Sequence, residues 1–296
     1  MFELEVKKDY SERIRYNVPN MPVFICKNEH EALAGTAVEC HWHDEVEFIL
    51  MLSGKLNYNV NGEHVTLNEG DALFVNSKQL HFGYAVEDGM CRYICVTLNT
   101  KLLCANNHMD RSFFAPVLEN GMSYFHLSHD VEWCREVNND INALWEIFEK
   151  NEKSCALHTH SRFYKMWSVL YANIGSKNTD TQPSYNTNLD TLKEMVGFIH
   201  TNYAKKLSLD DIYTAGAVCR SRCCSIFKDF FNQTPIEYLT MCRLNKSTAL
   251  LQSTEMPITE IAHATGFAGA SYFSEVFKKH YSCSPSEFRE KARNRN

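Results

Sequence analysis

The chain has 296 residues, a length that predicts about two domains, each large enough to bury its own core. Its formal net charge of −6 argues against a nucleic-acid binder only until the chain is divided at Tyr185, because 14 Lys/Arg and 11 Asp/Glu lie from that residue onward while 16 and 25 precede it. A basic C-terminal third beside an acidic remainder fits a DNA-contacting part joined to one that stays off the phosphates, the alternative being ordinary variation in surface charge.

The sequence also argues against secretion and membrane insertion. The first nine residues carry charges where a signal peptide needs an apolar run, and no stretch approaches the roughly 18 apolar residues of a membrane span. The 12 cysteines do not form the short, evenly spaced framework of a disulfide-rich protein. We therefore expect a cytoplasmic protein with reduced cysteines.

The N-terminal part is predicted to be an arm followed by a β-barrel. Residues 1–34 are expected to form the arm, with residues 16–22 extended because Pro19 and Pro22 push the residues before them out of the helical region. Asn61-Gly62, between two short β-rich runs, predicts a two-residue type I′ hairpin. Short strands separated by frequent turns indicate a small antiparallel barrel. The predicted strands cover residues 46–52, 56–60, 63–67, 72–75 and 91–98.

Polar residues interrupt the apolar strands of this barrel at regular positions. Gly35, His41, His43, Glu47 and Gly54 follow the spacing G-x5-H-x-H-x3-E-x6-G, which resembles the first motif of the cupin superfamily. The second cupin motif is matched only in part: His81 follows Gly70 by eleven residues, but Asn76, Lys78 and Ala85 stand where proline, glycine and asparagine are usual. The resemblance implies a cupin-like barrel.

The three histidines and the glutamate can serve either of two kinds of site. On a strand, His41, His43 and Glu47 share a parity and would point together into the barrel, where His81 can join them from another strand. In metal-binding cupins these four positions ligate an ion, which could be iron, manganese, zinc or nickel. Alternatively they line a small-molecule pocket or satisfy one another. We predict an effector pocket and assign no metal, cofactor or catalytic residue; its residues are His41, His43, Glu47, Tyr58, His81 and Tyr93.

A helix pair and a linker are predicted after the barrel. Apolar residues recur at helical spacing within residues 129–175, with Asp130 as an N-cap and Gly175 as a C-terminal stop. The pair is expected to mediate dimerisation, although its apolar faces could equally be buried against the barrel of a monomer. Residues 176–188 are polar, unpatterned and contain a proline, which indicates an interdomain linker.

The C-terminal part contains a repeated unit. Leu209-Asp210-Asp211-Ile212 is echoed 49 residues later by Ile258-Thr259-Glu260-Ile261, and Phe227-Lys228 is echoed 50 residues later by Phe277-Lys278. Such self-similarity indicates a duplicated supersecondary unit, and the one-residue slip can be absorbed in a turn. We predict two helix-turn-helix units, with turns near Val218 and at Gly266-Phe267.

The segment between the two units, residues 236–253, is predicted to be one helix. It contains no proline or glycine, and at about 1.5 Å per residue it would be ~27 Å long, close to the ~34 Å turn of B-DNA. Such a rod can hold two recognition helices in successive major grooves on one face of DNA.

The motifs of this region resemble the DNA-binding domain of the AraC/XylS transcription regulators over about 100 residues. They include Leu209-x2-Ile212, Pro235-x-Glu237-Tyr238-Leu239, Arg243-Leu244, Gly266-Phe267, Ser271-Tyr272-Phe273-Ser274 and Ser284-Pro285-x-Glu287-Phe288-Arg289. An N-terminal cupin-like sensor followed by two helices is also usual in that family, so the likeness extends weakly over the whole chain.

The resemblance implies which residues face DNA. Base-reading positions fall at Ser221, Cys224, Ser225, Ala270, Ser271, Ser274 and Glu275, and basic residues near them, including Arg220, Arg222, Lys228 and Lys278, are phosphate candidates. A solvated helix face is the alternative for each basic residue. The adjacent Cys219 and Cys223 are interpreted as ordinary free cysteines rather than a sensor.

We therefore predict a multidomain α+β protein: an arm and cupin-like barrel in residues 1–128, a helix pair in 129–175, a linker in 176–188 and a tandem helix-turn-helix domain in 189–296. The predicted function is a sequence-specific, homodimeric transcription regulator that binds double-stranded DNA, responds to a small molecule such as a sugar and contacts RNA polymerase. The alternative is a metal-dependent cupin enzyme or a metal-responsive regulator built on His41, His43, Glu47 and His81.

Overall fold

The N-terminal domain is built from two antiparallel β-sheets. The computed structural model describes residues 5–31, 36–85, 90–104, 106–151, 153–175 and 187–293. One sheet has the order β1-β8-β3-β6-β9 and the other the order β2-β7-β4-β5. The strands are β1 Val23–Glu31, β2 Thr36–His41, β3 Val46–Ser53, β4 Leu56–Val60, β5 Glu63–Leu67, β6 Ala72–Val75, β7 His81–Ala85, β8 Met90–Leu98 and β9 Tyr124–Leu127.

The predicted hairpin and all five predicted strands are present. Asn61 and Gly62 have φ values of 53° and 92°, the positive values that a type I′ turn needs at both central positions. The region expected to be an arm contains a nine-residue strand, β1, which pairs along its length with β8. The arm therefore ends near residue 22. From Val23 onward the chain forms β1, which covers the edge of β8.

The two faces of the larger sheet have different partners. Along β3, Val46, Phe48 and Leu50 belong to a core shared with the helices that follow the barrel. The alternate residues Ile49 and Met51 belong to a second core between the two sheets. The period-two alternation of side chains therefore places Glu47 on the inner side, between the sheets.

Helices cover the outer face of the larger sheet. Short segments α1 Asn107–Met109 and α2 Ala115–Leu118 precede two long helices, α3 Glu132–Lys150 and α4 Cys155–Leu170. The apolar side of α3 packs against the barrel, which was the alternative considered for this pair. On α4, Leu157 is 76% exposed, so part of the pair's apolar surface remains uncovered.

The prediction that Asp130 caps α3 is wrong. The residue before the helix is Val131, whose extended backbone makes no side-chain capping bond. Asp130 instead lies 3.4 Å from Nε2 of His129, and His129 in turn is held by Asp71 at 2.8 Å. His129, which Asp71 of the β5–β6 turn holds in place, thus engages the Asp130 carboxylate that the local sequence assigned to the helix cap.

The C-terminal domain is entirely helical within the described residues. The linker predicted at 176–188 lies mostly outside those residues, and a helix already begins at Thr187. The helices are α5 Thr187–Asn202, α6 Leu209–Ala215, α7 Arg220–Phe231, α8 Pro235–Ser253, α9 Ile258–Ala264, α10 Ala270–Tyr281 and α11 Pro285–Arg293. None of the described helices is long and apolar enough to cross a membrane.

The repeated units follow the predicted boundaries closely. Ser208 and Asp211 form a capping box at the start of α6, and Thr234 and Glu237 form one at the start of α8. The turns between the paired helices contain positive φ values at equivalent positions, 52° at Ala217 and 83° at Gly266. The two units are therefore the same helix-turn-helix structure.

Helix α8 connects two separate hydrophobic cores. Tyr238, Leu239 and Cys242 in its first half pack into the core of the first unit. Leu244 and Leu251 in its second half pack into the core of the second unit. With 19 residues it is ~28 Å long, as the sequence predicted for a rod that spaces two recognition helices.

The barrel packs directly on the first unit. Cys40 of β2, Trp42 directly after β2 and Leu80 directly before β7 belong to the same core as the buried residues of α5, α7 and α8. Lys246 of α8 forms an ion pair of 2.9 Å with Glu39 of β2. The two domains therefore share buried surface on the outer side of the smaller sheet.

The N-terminal arm also reaches the C-terminal domain. A Cβ built on Gly197 of α5 would collide with the ring of Tyr10. Nearby, the amide of Glu12 donates a hydrogen bond of 2.8 Å to the carbonyl of Trp42. The arm is thus held between the barrel and α5.

Candidate effector site and DNA interface

Four predicted effector residues converge inside the barrel. Ligand atoms of His41, His43, Glu47 and His81 all lie within 4.8 Å of one another. The parity argument was wrong to place His41, His43 and Glu47 on one strand, because His41 ends β2, His43 lies in the following connection and Glu47 is in β3. His81 comes from another strand, β7, as predicted. A register irregularity before His41 turns its side chain inward.

Backbone carbonyl groups orient all three imidazoles. The Nδ1 atoms of His41, His43 and His81 lie 2.7, 3.1 and 2.8 Å from the carbonyl oxygens of residues 39, 45 and 79. A carbonyl oxygen only accepts, so each Nδ1 carries a proton and each ring turns its Nε2 inward. This is the tautomer and the outer support that a metal-ligating histidine needs.

Glu47 brings the negative charge into the cluster. Its Oε2 lies 2.9 Å from Nε2 of His43 and 3.2 Å from Nε2 of His81. Burial raises the pKa of the Glu47 carboxyl, but the charges and hydrogen bonds of His81 and His43 outweigh burial and hold the pKa well below its ordinary value. Since Nδ1 of each ring already carries a proton, these contacts require either a second proton on the rings or a cation among them. The donor set therefore fits a divalent ion.

The remaining predicted effector residues, Tyr58 and Tyr93, fill the space around this cluster. Both are buried in the core between the sheets. The Tyr58 hydroxyl lies 3.5 Å from Oε1 of Glu47, and the ring stacks near His81 with centroids 6.1 Å apart. These aromatic side chains limit the room beside Glu47, and Gly35 of the motif lies outside the described residues.

Sequence reasoning missed two acidic neighbours of the cluster. Oε2 of Glu12, in the arm, lies 3.4 Å from Nε2 of His41. Glu45 is buried beside His43 and accepts a hydrogen bond of 2.5 Å from the hydroxyl of Tyr16. Glu12 carried no motif signal, because only the folded arm brings it to a residue 29 positions away. The adjacent position of Glu45 between His43 and Glu47 was a signal that could have identified it.

The predicted DNA-facing residues of the first unit lie on the outer side of α7. Arg220, Ser221, Arg222, Ser225 and Lys228 are exposed, and Cys224 is half-buried. The opposite side of the helix buries its apolar residues in the unit's core. The helix therefore presents one continuous polar face to solvent.

The second unit presents a smaller and less polar face. Ser271, Glu275 and Lys278 of α10 are exposed, while Ala270 and Ser274 are half-buried. Neither recognition helix has a side-chain cap at its first residue, because Cys219 and Gly269 stand there without a capping bond.

Two features of the first face were not predicted. The guanidinium of Arg222 donates a hydrogen bond to the side chain of Asn188 at the start of α5. Ser225 donates a hydrogen bond of 3.3 Å to Asp229, an exposed acid one turn further along α7. The helical spacing of four residues was the signal for the second contact. Both contacts hold polar side chains of α7 in place on its outer side.

Cys223 on α7 agrees with its interpretation as an ordinary free cysteine. Cys223 is fully buried beside Phe227, and burial raises the pKa of its thiol to about 12. All 12 cysteines of the chain are free thiols. No described histidine or carboxylate cluster other than the barrel site offers metal-ligand geometry.

An enclosed polar cluster in a β-barrel, packed on a tandem helix-turn-helix domain, defines a DNA-binding regulator with a ligand-binding sensor. Comparisons with known proteins give the same class. Residues 215–291 match the family described as helix-turn-helix domain, and residues 30–166 match the family described as AraC-like ligand binding domain.

Two bacterial relatives are similar over most of the chain. An uncharacterized HTH-type transcriptional regulator of Bacillus subtilis, YdeC, is 27% identical over 285 residues, which cover 96% of this chain and 97% of the relative. The melibiose operon regulatory protein of Escherichia coli is 24% identical over 262 residues, which cover 86% of this chain and 84% of the relative. The structure of fatty-acid-bound ToxT from Vibrio cholerae matches with a TM-score of 0.49 and 16% identity, over 93% of this chain and 97% of that chain.

The chain belongs to the AraC/XylS family of transcription regulators, with an N-terminal ligand-binding domain and a C-terminal helix-turn-helix DNA-binding domain. The family, the fold class and the general function predicted from the sequence are confirmed.

Proposed function

We propose that this regulator works in the cytoplasm as a homodimer without catalytic activity, and that a small effector bound at His41, His43, Glu47 and His81 changes how its helix-turn-helix units meet DNA. Contact with RNA polymerase and a role for the α3–α4 surface in dimerisation belong to the same proposal. The observation that carries it is the position of the cluster on the strands that touch the first helix-turn-helix unit.

The strand neighbours of two cluster histidines support this coupling. His41 stands between Cys40 and Trp42, and both of these pack in the core of the first unit. His81 follows Leu80, which is in the same core. Because successive side chains of a strand point to opposite faces, a ligand that moves the histidines inside the barrel also moves the residues that contact α5 and α7. An effector then acts through its different affinities for two arrangements of the domains.

The DNA contacts are proposed for the outward faces of α7 and α10. The exposed side chains of Arg220, Ser221 and Arg222 support sequence reading by the first unit. The half-buried Ala270 and the exposed Lys278 support a larger share of phosphate contact in the second.

Footprinting with the full-length protein tests this proposal. We expect protection of roughly two helical turns per protomer on DNA near the protein's own gene, with two half-sites if it is a dimer. Ser221→Ala with Ser225→Ala should reduce discrimination between that site and random DNA, while the control Ser168→Ala on α4 should not. Protection of a single short segment by each protomer would contradict the tandem reading.

A divalent transition-metal ion is the second candidate for the effector, and the orientation of the three imidazoles favours it. Three neutral imidazoles and one carboxylate suit iron, manganese, zinc or nickel. The side chains of His43 and His81 are only 1% exposed. Such a buried cluster suits a small ion better than a sugar. In this version the regulator would be metal-responsive, and the ion would draw the ends of β2, β3 and β7 together.

Metal analysis and DNA affinity separate these readings. Protein purified without chelator should hold about one ion per chain, and His81→Gln should lose it, whereas the exposed control His158→Gln should retain it. DNA affinity that changes on adding the ion supports a metal-responsive regulator. Bound metal without any effect on DNA affinity would contradict that role, and an absence of stoichiometric metal would leave the small-molecule proposal alone.

A further inference from the structure

Two cysteines face each other across adjacent strands of the barrel. Cys26 of β1 and Cys95 of β8 are direct partners in an antiparallel ladder that runs without a shift from Val23 to Glu31. Opposite residues of such a ladder have Cα atoms about 4.5–5.5 Å apart and side chains on the same face. That separation lies inside the range of about 4.4–6.8 Å found for disulfides. In the described ladders this is the one position where cysteine pairs with cysteine.

The surroundings of the pair differ from those of most other cysteines in the chain. Seven of the 12 cysteines are buried, whereas Cys26 and Cys95 are both half-buried. Sγ of Cys26 accepts a hydrogen bond of 3.1 Å from the amide of Asn28. The adjacent thiol of Cys95, followed by the hydrogen bond from Asn28, lowers the pKa of the Cys26 thiol. A stabilised sulfur next to a second thiol is the arrangement of an oxidisable dithiol.

The pair also touches the effector cluster. Sγ of Cys95 donates a hydrogen bond of 3.4 Å to Oε1 of Glu47. The other carboxylate oxygen of Glu47 meets His43 and His81. Any change at the sulfur of Cys95 therefore reaches the carboxylate on which the cluster is built.

We propose that Cys26 and Cys95 form a reversible redox site, closed to a disulfide by a peroxide. Sγ of Cys26 attacks one oxygen of hydrogen peroxide, which breaks the O–O bond and gives a sulfenic acid and water. Sγ of Cys95 then attacks that sulfenic sulfur, the S–O bond breaks, and a second water leaves with the proton of the Cys95 thiol. In total two thiols and one peroxide become one disulfide and two waters.

The disulfide would replace the S–H group that donates to Glu47. Oxidation would thus remove one hydrogen bond from the carboxylate at the centre of the effector cluster. The inference concerns this thiol pair alone and holds whichever effector the barrel binds.

Peptide mapping of the full-length protein tests the proposal. Native protein is treated with a small excess of hydrogen peroxide, alkylated, unfolded and digested with trypsin, which isolates Cys26 in residues 16–27 and Cys95 in residues 93–101 as the sole cysteine of each peptide. We expect these two peptides joined, about 2 Da lighter than their sum, and separated again by dithiothreitol. This link should be at least tenfold more abundant than any other cysteine pair, since the ladder holds these two sulfurs together.

Two cysteine variants provide the controls. Cys95→Ser should leave Cys26 as a sulfenic or sulfinic acid, and Cys104→Ser, which removes another half-buried cysteine, should leave the link intact. Because the main measurement uses the unaltered protein, poor folding of a variant does not affect it. Free alkylation of both cysteines after peroxide, or equal linkage of Cys26 to several cysteines, would overturn the proposal.

Discussion

The two helix-turn-helix units have the same backbone but different relations to the rest of the molecule. The core of the first unit includes Cys40, Trp42 and Leu80 from the barrel. The core of the second unit is made only of residues from Met241 onward. In the proposed function, a signal that starts in the barrel would therefore enter the first unit through shared buried side chains and reach the second through α8.

Their outward faces differ in the same direction. The first recognition helix begins with Arg220, Ser221 and Arg222, which offer charge and hydrogen bonds. The second begins with Ala270 and Ser271 after an alanine and a glycine. The two units thus share a scaffold, and we propose that they divide the tasks: the first receives the barrel's signal and reads bases, and the second sets the position on DNA.

Removing the equivalent buried phenylalanine from each unit should have the largest effect. Phe227 and Phe277 are both fully buried, so truncation to alanine should cost about 3–5 kcal/mol of unfolding free energy in either unit. Phe227→Ala should also increase hydrogen exchange in β2 and β7, because these strands pack on the same core. Phe277→Ala should increase exchange in α9 and α10 and leave the barrel strands unchanged. Hydrogen exchange by mass spectrometry measures both effects. Unchanged exchange in β7 of Phe227→Ala would mean that the barrel and the first unit are independent.

The turn residues of the two units should respond in opposite directions. Gly266 has φ of 83°, and a Cβ there would collide with the carbonyl oxygen of Tyr203 and with the side chain of Arg243. Gly266→Ala should therefore lower the free energy of unfolding by about 2 kcal/mol. Ala217 already has a positive φ of 52°, so Ala217→Gly should raise stability by about 0.5 kcal/mol. Urea denaturation measures both, and a stabilised Gly266→Ala would show that the turn relaxes freely.

The sequence predicted the tandem units almost residue by residue, because their signals are local. Capping residues such as Ser208, the glycine at 266 and the helical spacing of apolar side chains all act within a few positions. Repetition supplied a second, independent copy of each signal. The hairpin at Asn61-Gly62 was predictable for the same reason.

The interdomain contacts and much of the effector site could not be predicted this way. Glu12 reaches His41, and Trp42 reaches the core of α5, only through packing of segments far apart in sequence. Strand parity predicted that the histidines converge. It did not predict that they come from β2, from the connection after β2 and from β7. Asp130 failed as a cap because His129 and Asp71 form a contact that no local pattern contains.

Acid should weaken the first unit selectively through His200. This residue of α5 lies 2.9 Å from the hydroxyl of Tyr238, and burial lowers its pKa to about 4 from an ordinary 6.5. The unfolded chain therefore binds a proton at a higher pH than the folded chain does. The contribution of neutral His200 to stability is complete above about pH 6.5 and is lost as the pH falls towards about 4.

The comparison for this pH effect is His200→Gln, which keeps a hydrogen-bonding side chain but cannot titrate. Its unfolding free energy should fall less between pH 7 and pH 5 than that of the unaltered protein. Protons taken up by the barrel histidines affect both proteins equally and cancel in the difference. Identical pH profiles would mean that the pKa of His200 is the same in the folded and unfolded chains.

The smallest expected effect distinguishes phosphate contacts in the two units. Arg222→Ala and Lys278→Ala should each weaken DNA binding and reduce the slope of log affinity against log salt by about one unit, if each side chain neutralises one phosphate. Lys150→Ala, on the exposed side of α3, should leave the slope unchanged.

Because Arg222 is also hydrogen-bonded to Asn188, Asn188→Ala serves as a second control that frees the guanidinium without removing its charge. A lower slope in Asn188→Ala as well would mean that the start of α5 positions Arg222 on the phosphate. An unchanged slope in Arg222→Ala, together with altered base preference, would move Arg222 from phosphate contact to base reading and sharpen the division of tasks between the two units.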